Sequence, residues 1–325
     1  MKLIPKLPLF LFLLLAFTSC KERNEDFPLV PWDTYFYSKA DIAPRPVSAI
    51  LVLNDHSEWY GSRDKQGLVH FNGYKWLVFD QSNTAVPFDS ITAMLEDGNG
   101  LLWVSYKSGL ASFDGKSWLN IPELSGLNIT SLALQGIGIV WAGIDGNSQT
   151  GGLARFSGGN WSFMNPLNSG IASSHTRAVL TDASQNIWAA SSDKGISRFN
   201  GREWEYFDTE TLPVLSDNFS SLAMDPQGNV WAGTASSQLV RFSSSVVVFN
   251  TGTGSAVSGL LATGDGKIWI GTAGAGIVSF DGLNWQSYTK QNSRLPCDSV
   301  VSMGLHADGK IMAAFPDGRV IHFSK

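Results

Sequence analysis

Residues that could carry covalent or metal chemistry are sparse in this chain. Its histidines, His56, His70, His175, His306 and His322, include no pair at metal-ligand spacing and no His-x-Glu cluster of the kind a metal-dependent lyase needs. No Gly-x-Ser-x-Gly elbow is present to activate a serine, and Cys297 has no identifiable base beside it. Asp145 to Ser148 is the best place for a calcium ion, yet the full calcium-loop signature is missing. The expectation is therefore no catalytic residue, no metal and no cofactor, and a protein that binds without turning over.

Recognition chemistry is better represented. Polar segments stand at Arg63-Asp64-Lys65, Tyr106-Lys107, Asp145-Gly146-Asn147-Ser148-Gln149 and Asp193-Lys194. Sugars are held by planar polar side chains together with an aromatic face, and Tyr106 is the one aromatic in this set. Arg177 belongs with them, because a guanidinium can fork onto a carboxylate or bind sugar hydroxyls. The candidate ligand-binding set is thus Arg177, Tyr106, Lys107, Arg63, Asp64, Lys65, Asp145, Asn147, Asp193 and Lys194. The alternatives are ordinary solvated loops and, for Arg177, a structural pair with a neighbouring carboxylate such as Asp182.

What must position these residues is a repeat. Phe71, Phe113, Phe156, Phe199, Phe242, Phe280 and Phe323 are separated by 42, 43, 43, 43, 38 and 43 residues. Five residues after each of the first six stands Trp76, Trp118, Trp161, Trp204, Val247 or Trp285, usually behind a tight turn such as Asn72-Gly73 or Asp114-Gly115, which is a hairpin signal. A second aromatic series, Trp59, Trp103, Trp141, Trp188, Trp231 and Trp269, with Met312 in the seventh place, precedes each Phe and follows a polar turn such as Asp97-Gly98-Asn99-Gly100. Each unit reads as four short strands, in the second copy Ile91 to Leu95, Leu102 to Ser105, Gly109 to Phe113 and Ser117 to Ile121. No apolar pattern of period 3.6 runs for ten residues, which excludes a helical solenoid.

Four antiparallel strands at this period describe a propeller blade, so the fold class is all-β, a seven-bladed β-propeller over residues 31–325. The chain stops at Phe323-Ser324-Lys325, where the seventh unit still owes its fourth strand, and Pro31-Trp32-Asp33-Thr34-Tyr35 matches Lys75-Trp76-Leu77-Val78-Phe79. The N-terminal strand is expected to complete the last blade and leave no open sheet edge. Aligning the innermost strands puts Ser48, Thr92, Thr130, Arg177, Ser220, Ser258 and Val301 in one column near the axis, where Arg177 is the one charge among hydroxyls. Arg155, Arg198 and Arg241 each directly precede the repeat Phe, with His70 and His322 in two other copies, and so occupy a structural position.

Lys2 and Lys6 followed by an apolar run from Leu7 to Phe17 make residues 1–19 a signal peptide, too short for a comfortable membrane span. Phe17-Thr18-Ser19-Cys20 resembles the bacterial lipoprotein box, which implies lipidation of Cys20 and a charged tether over residues 20–30. The segment Lys21-Glu22-Arg23-Asn24-Glu25-Asp26 resembles the acidic signal that sends Bacteroidota lipoproteins to the cell surface. The expected location is the outer membrane, facing the periplasm or the exterior. Without residues 1–19 the basic count falls from 23 to 21 against 28 acidic residues, which makes nucleic acid a poor partner. With Cys20 lipidated, Cys297 is left without an intramolecular partner, so the core must stabilise itself.

Val230-Trp231-Ala232-Gly233-Thr234, Ile268-Trp269-Ile270-Gly271-Thr272 and Asn292-Ser293-Arg294-Leu295-Pro296 resemble the two-component regulator propeller repeat, and the similarity spans about residues 31 to 325. That resemblance implies an extracytoplasmic propeller that recognises glycans, although this chain carries no kinase. The expectation is a lipid-anchored module that captures a glycan or another small polar ligand, or docks a partner protein, at the channel mouth. A propeller hydrolase or lyase acting on polysaccharide and a purely structural interaction platform are the other readings.

Overall fold

A computed structural model describes residues 32–35, 46–63, 65–306 and 308–323, with residues 32–35 described in backbone only. The expectations for residues 1–19, for Cys20 and for the tether lie outside these residues, as does Asp64. Seven four-stranded antiparallel sheets form the molecule. Blade 1 consists of Val47–Val52, Glu58–Ser62, Leu68–Phe71 and Trp76–Phe79, and blade 2 of Ile91–Glu96, Leu102–Tyr106, Gly109–Phe113 and Trp118–Asn120. Blades 3 to 6 repeat the plan from Asn128 to Tyr288. Blade 7 takes Ser302–Leu305, Ile311–Ala314 and Val320–Phe323 from the C-terminal end, and Trp32–Tyr35 supplies its fourth strand with Trp32 paired to Phe323 and Tyr35 to Val320. Among the described residues the one helical piece is a 3₁₀ turn at Pro122–Leu124, and no helix is long and apolar enough to cross a membrane.

The second strand of each blade is buried along its whole length, save for the two ends of the longer blade 3 strand at Ile139 and Asp145, as Trp103-Val104-Ser105 and Trp231-Ala232-Gly233 illustrate, because neighbouring blades cover both of its faces. Its tryptophans are the largest anchors: Trp103, Trp141, Trp188 and Trp269 are each 2% exposed. In blades 2 to 5 the polar turn before the tryptophan is where the indole finds its acceptor. Asp97, Asp182 and Asp225 accept the Nε1–H of Trp103, Trp188 and Trp231 at 3.1, 2.8 and 2.8 Å, and Gln135 does the same for Trp141 at 2.9 Å. Arg155, Arg198 and Arg241 lie over the Trp141, Trp188 and Trp231 rings at 5.7, 5.2 and 5.7 Å, and His70 stacks on Trp59 at 3.9 Å, so in these four blades the residue before the repeat Phe serves packing. The Asn-Ser-x-Leu-Pro motif also has a mechanical role. Asn292 accepts from the Thr289 amide and donates to the Ser287 carbonyl, which folds the loop and seats Leu295 in the core between blades 6 and 7.

The innermost strands carry a feature that orients the axis. Blades 1 to 6 each have a β-bulge there, and the extra residues are Ser48, Thr92, Thr130, Arg177, Ser220 and Ser258, members of the column aligned in the sequence. Five of them use their hydroxyls to tie one blade to the next. Ser48 donates to the Ile91 carbonyl at 2.6 Å, Thr92 to Ile129 at 2.6 Å, Thr130 to Thr176 at 2.9 Å, Ser220 to Val257 at 2.6 Å and Ser258 to Val300 at 2.7 Å. Blades approach closely enough to demand glycine in the second strand. A Cβ on Gly61 would lie 2.3 Å from Ile91 Cγ2, and one on Gly233 would lie 2.4 Å from Val257 Cγ1.

Candidate functional site

The bulged ends of the innermost strands open into a cavity of about 560 Å³ at one mouth of the channel. Its lining is mostly residues with hydroxyl or amide side chains, among them Ser48, Thr92, Thr130, Ser220, Asn128 and Asn218, together with Arg63 and Arg177. Blades 1 and 4 stand three steps apart in a ring of seven, so these two cations come from nearly opposite walls. No aromatic side chain is part of this lining among the described residues.

Arg177 breaks the ring of bridging hydroxyls. Among the described residues no side-chain hydroxyl donates to the Phe219 carbonyl, to which the register would direct it, and the guanidinium turns to Asp145 instead. Its Nη1 lies 3.4 Å from Asp145 Oδ2, with the Arg177 side chain 46% exposed and that of Asp145 21%. Asp145 is the hub of this side of the mouth: its Oδ1 meets His175 Nδ1 at 2.8 Å, and the Asn128 amide donates to Oδ2 at 3.5 Å. The local chain explains the meeting. Asp145 ends the second strand of blade 3 opposite Asn128, and an isolated bridge joins it to His175 at the entry of blade 4.

Arg177 and Asp145 therefore come together as a pair, and Arg63 faces them across the cavity. Asp182, expected as a partner for Arg177, is committed elsewhere. It accepts from the Trp188 indole, the Asn186 side chain and two amides of its own turn. Tyr106 is also corrected. It is 4% exposed, packs edge-on against Phe88 and donates its hydroxyl to Asn120 Oδ1, so it presents no face to a sugar. Burial first, and the charge of Asp89 second, push its phenol up to about 12. The tyrosine belongs to the second strand, whose every position is buried, and the alternation expected of a loop does not apply there.

Lys65, Lys107 and Lys194 are exposed at this end, and the Lys65 and Lys107 amides donate to the Asp89 and Ser90 carbonyls of the strand-entry loops. Asp193 accepts from the Ser173 hydroxyl. Asn147 shapes its own loop, accepting from the Gln149 and Thr150 amides. Asn128, His175 and Asn218 were not singled out from the sequence, yet each stands two residues before a member of the aligned column, so the same period locates them. Among the described residues no three His, Cys, Asp or Glu side chains gather in a way that could hold a metal ion.

Comparison with known proteins places the fold. The extracellular domain of a putative hybrid two component system from B. thetaiotaomicron superposes with a TM-score of 0.73 at 19% identity, over 90% of this chain and 40% of that one. Virginiamycin B lyase from Staphylococcus aureus gives 0.72 at 12% identity, over 88% and 96% of the two chains. PorZ, a bacterial surface component of the type-IX secretion system of Porphyromonas gingivalis, gives 0.68 at 16%, over 86% and 46%. At these identities the likeness is one of fold, and this chain spans about two fifths of the length of the first. A search of curated proteins found no match. Residues 213–236, from the entry loop of blade 5 through its second strand, match the family described as the two component regulator propeller.

Proposed function

We propose that this propeller is an extracytoplasmic binding module, held at the outer membrane through a lipid on Cys20, that captures a small polar ligand bearing an anionic group, a carboxylated or sulfated glycan in the first place, at the channel mouth. One observation carries the reading. Five of the seven column positions bridge blades through a hydroxyl, and blade 4 gives up that bond to place Arg177 over the cavity. A bridging hydrogen bond contributes about 0.5–1.5 kcal/mol. The half-exposed pair with Asp145 returns about 0–1 kcal/mol, so stability alone gives little reason for the exchange. A guanidinium on each side of a hydroxyl-lined cavity, without an aromatic platform, suits recognition by forked hydrogen bonds to oxyanions better than stacking on a sugar ring.

The test is a thermal-shift screen against matched neutral and acidic oligosaccharides. A ligand that binds only the folded form raises the melting temperature, by an amount equivalent to about 2.7 kcal/mol at a hundredfold excess over Kd. Acidic members should stabilise the protein, and Arg177→Gln should remove the shift without lowering the melting temperature of the free protein. No stabilisation by any acidic sugar, or a shift that survives Arg177→Gln, defeats the reading.

A second reading, a hydrolase or lyase, rests on the Asp145–His175 contact beside Arg177, because a carboxylate-held imidazole next to a cation can act as a general base. Product formation from any panel glycan that disappears in His175→Gln would move the protein to that class.

A further inference from the structure

A second cavity, of about 310 Å³, lies between blades 3 and 4 and has a cause visible in the repeat. In blades 1, 4, 5 and 6 the second-strand tryptophan is covered by an aromatic ring from the outermost strand. Trp59 stacks with Phe79, Trp188 with Phe207, Trp231 with Phe249 and Trp269 with Tyr288, with centroids 5.8, 5.6, 5.9 and 5.8 Å apart. Phe207 and Phe249 reach that place opposite Ile196 and Leu239, and in blade 3 the residue opposite Leu153 is Met164. Blade 2 lacks the ring as well, but Phe156 and Trp161 close over Trp103 at 5.2 and 5.9 Å. Phe199 and Trp204, their blade 4 counterparts, pack against the same core cluster as Trp141 but do not close over its ring in this way. The blade 4 counterpart of Trp161, Trp204, donates its indole N–H to the Ser169 carbonyl, and among the described residues Trp141 has no aromatic ring contact.

The same cavity holds an uncompensated charge. Arg198 in blade 4 pairs with Glu205, its neighbour on the outermost strand, whereas the neighbour of Arg155 in that register is Ser162. Arg155 makes no ion pair among the described residues, and its guanidinium lies 5.7 Å from the Trp141 ring centroid. The site thus combines a tryptophan without its usual cover, apolar walls from Ile187 and Phe199, a guanidinium and a hydroxyl. Met164 lies over it as an unbranched thioether, which can swing aside at small cost. The volume is at the lower end of the range of small-molecule pockets, about 300–1,000 Å³.

We propose that this inter-blade cavity is a second binding site, separate from the channel mouth, for a small aromatic carboxylate. Its ring takes the place that the repeat gives to Phe207 in blade 4, stacked on Trp141, and its carboxylate forks onto Arg155. Phenylacetate is the probe and 2-phenylethanol, the same ring without the charge, the control. Calorimetric titration of the full chain should give saturable 1:1 uptake of phenylacetate, at least about tenfold tighter than the alcohol. Arg155→Gln should remove that preference. Met164→Phe supplies the ring from the chain itself and should abolish binding while raising the melting temperature, and Arg177→Gln should leave binding unchanged. Absence of saturable phenylacetate uptake, equal affinity for the alcohol, uptake that survives Met164→Phe in a folded protein, or loss of uptake in Arg177→Gln would each overturn the proposal.

Discussion

An indole N–H buried against its own turn needs an acceptor six residues upstream, and the six blades that carry the tryptophan run that experiment on themselves. Asp97, Gln135, Asp182 and Asp225 supply it, but the same place holds Leu53 in blade 1 and Thr263 in blade 6, and the Nε1 atoms of Trp59 and Trp269 are buried with no partner. Copying the blade 2 turn into blade 6, Thr263→Asp with Asp265→Asn, should restore the bond. The gain should be about 1 kcal/mol, read as a rise of about 2–4 °C in melting temperature. A second residue-level prediction concerns acid. Burial opposes ionisation of Asp308, but the Lys310 amide, the His306 ring and the Lys310 side chain more than offset it and hold the carboxyl at about 2, below its usual value near 3.8. A depressed carboxyl stabilises the fold above its unfolded pKa and loses that contribution as pH falls, here between about 4 and 2. Denaturant titrations across that window should give a steeper loss for the native chain than for Asp308→Asn. At this scale the sequence was legible where a position repeats, as in the arginines stacked on Trp141, Trp188 and Trp231. It was least legible where one residue departs from its column, because the partner then comes from another blade. Arg177 found Asp145, 32 positions back in the chain, instead of the nearer Asp182.

Strand existence and order were readable throughout, since alternating burial, tight Asn-Gly and Asp-Gly turns and the returning tryptophans all demand the same four-stranded unit. Blade 2 begins and ends its first three strands within one residue of the expected places, and its fourth is shorter, Trp118–Asn120, because Ile121 turns into the 3₁₀ segment at Pro122. The bulge in the innermost strand was not readable, because it adds no residue type of its own and appears only as a register shift opposite the second strand. It has a function in the wall of the channel, since the extra residue is the one that reaches the neighbouring blade. The small residue opposite serves the same closeness. At Gly233 a valine would bring its Cβ to 2.4 Å from Val257 Cγ1, where both strands are held in sheets, so neither can give way cheaply. Gly233→Val should cost about 1–3 kcal/mol or more by overpacking, whereas Gly73→Ala, at an open turn with nothing within 4 Å, should cost less and only through its positive φ. Denaturant midpoints of the two variants make the comparison.

A ring of seven blades is only as strong as its weakest seam, and the seam between blades 7 and 1 lacks a tie that five of the others have. Its column residue is Val301, which has no hydroxyl to donate to the Val47 carbonyl, so the bridging bond between neighbouring blades is missing there as it is at Arg177. Side chains repair part of it. Glu58 is buried where it accepts from the Tyr60 hydroxyl and meets His306 Nε2 at 3.3 Å, and Val47, Tyr60 and Val69 pack against Met312, Ala314 and Val320. The remaining closure is topological. Trp32–Tyr35 pairs with Val320–Phe323, so the chain that builds blade 1 also holds the outer edge of blade 7. Deleting residues 27–37 leaves Val320–Phe323, otherwise buried on all four residues, as an open edge, which should lower the melting temperature of the whole molecule and favour edge-to-edge association. The effect should reach the binding site as well. Arg63 stands on blade 1 and Arg177 on blade 4, so their separation across the mouth is fixed only in a closed ring, and the truncated chain should lose the acidic-ligand shift together with its stability. A truncated protein that melts like the intact one and keeps that shift would mean that blade-to-blade packing alone closes the circle.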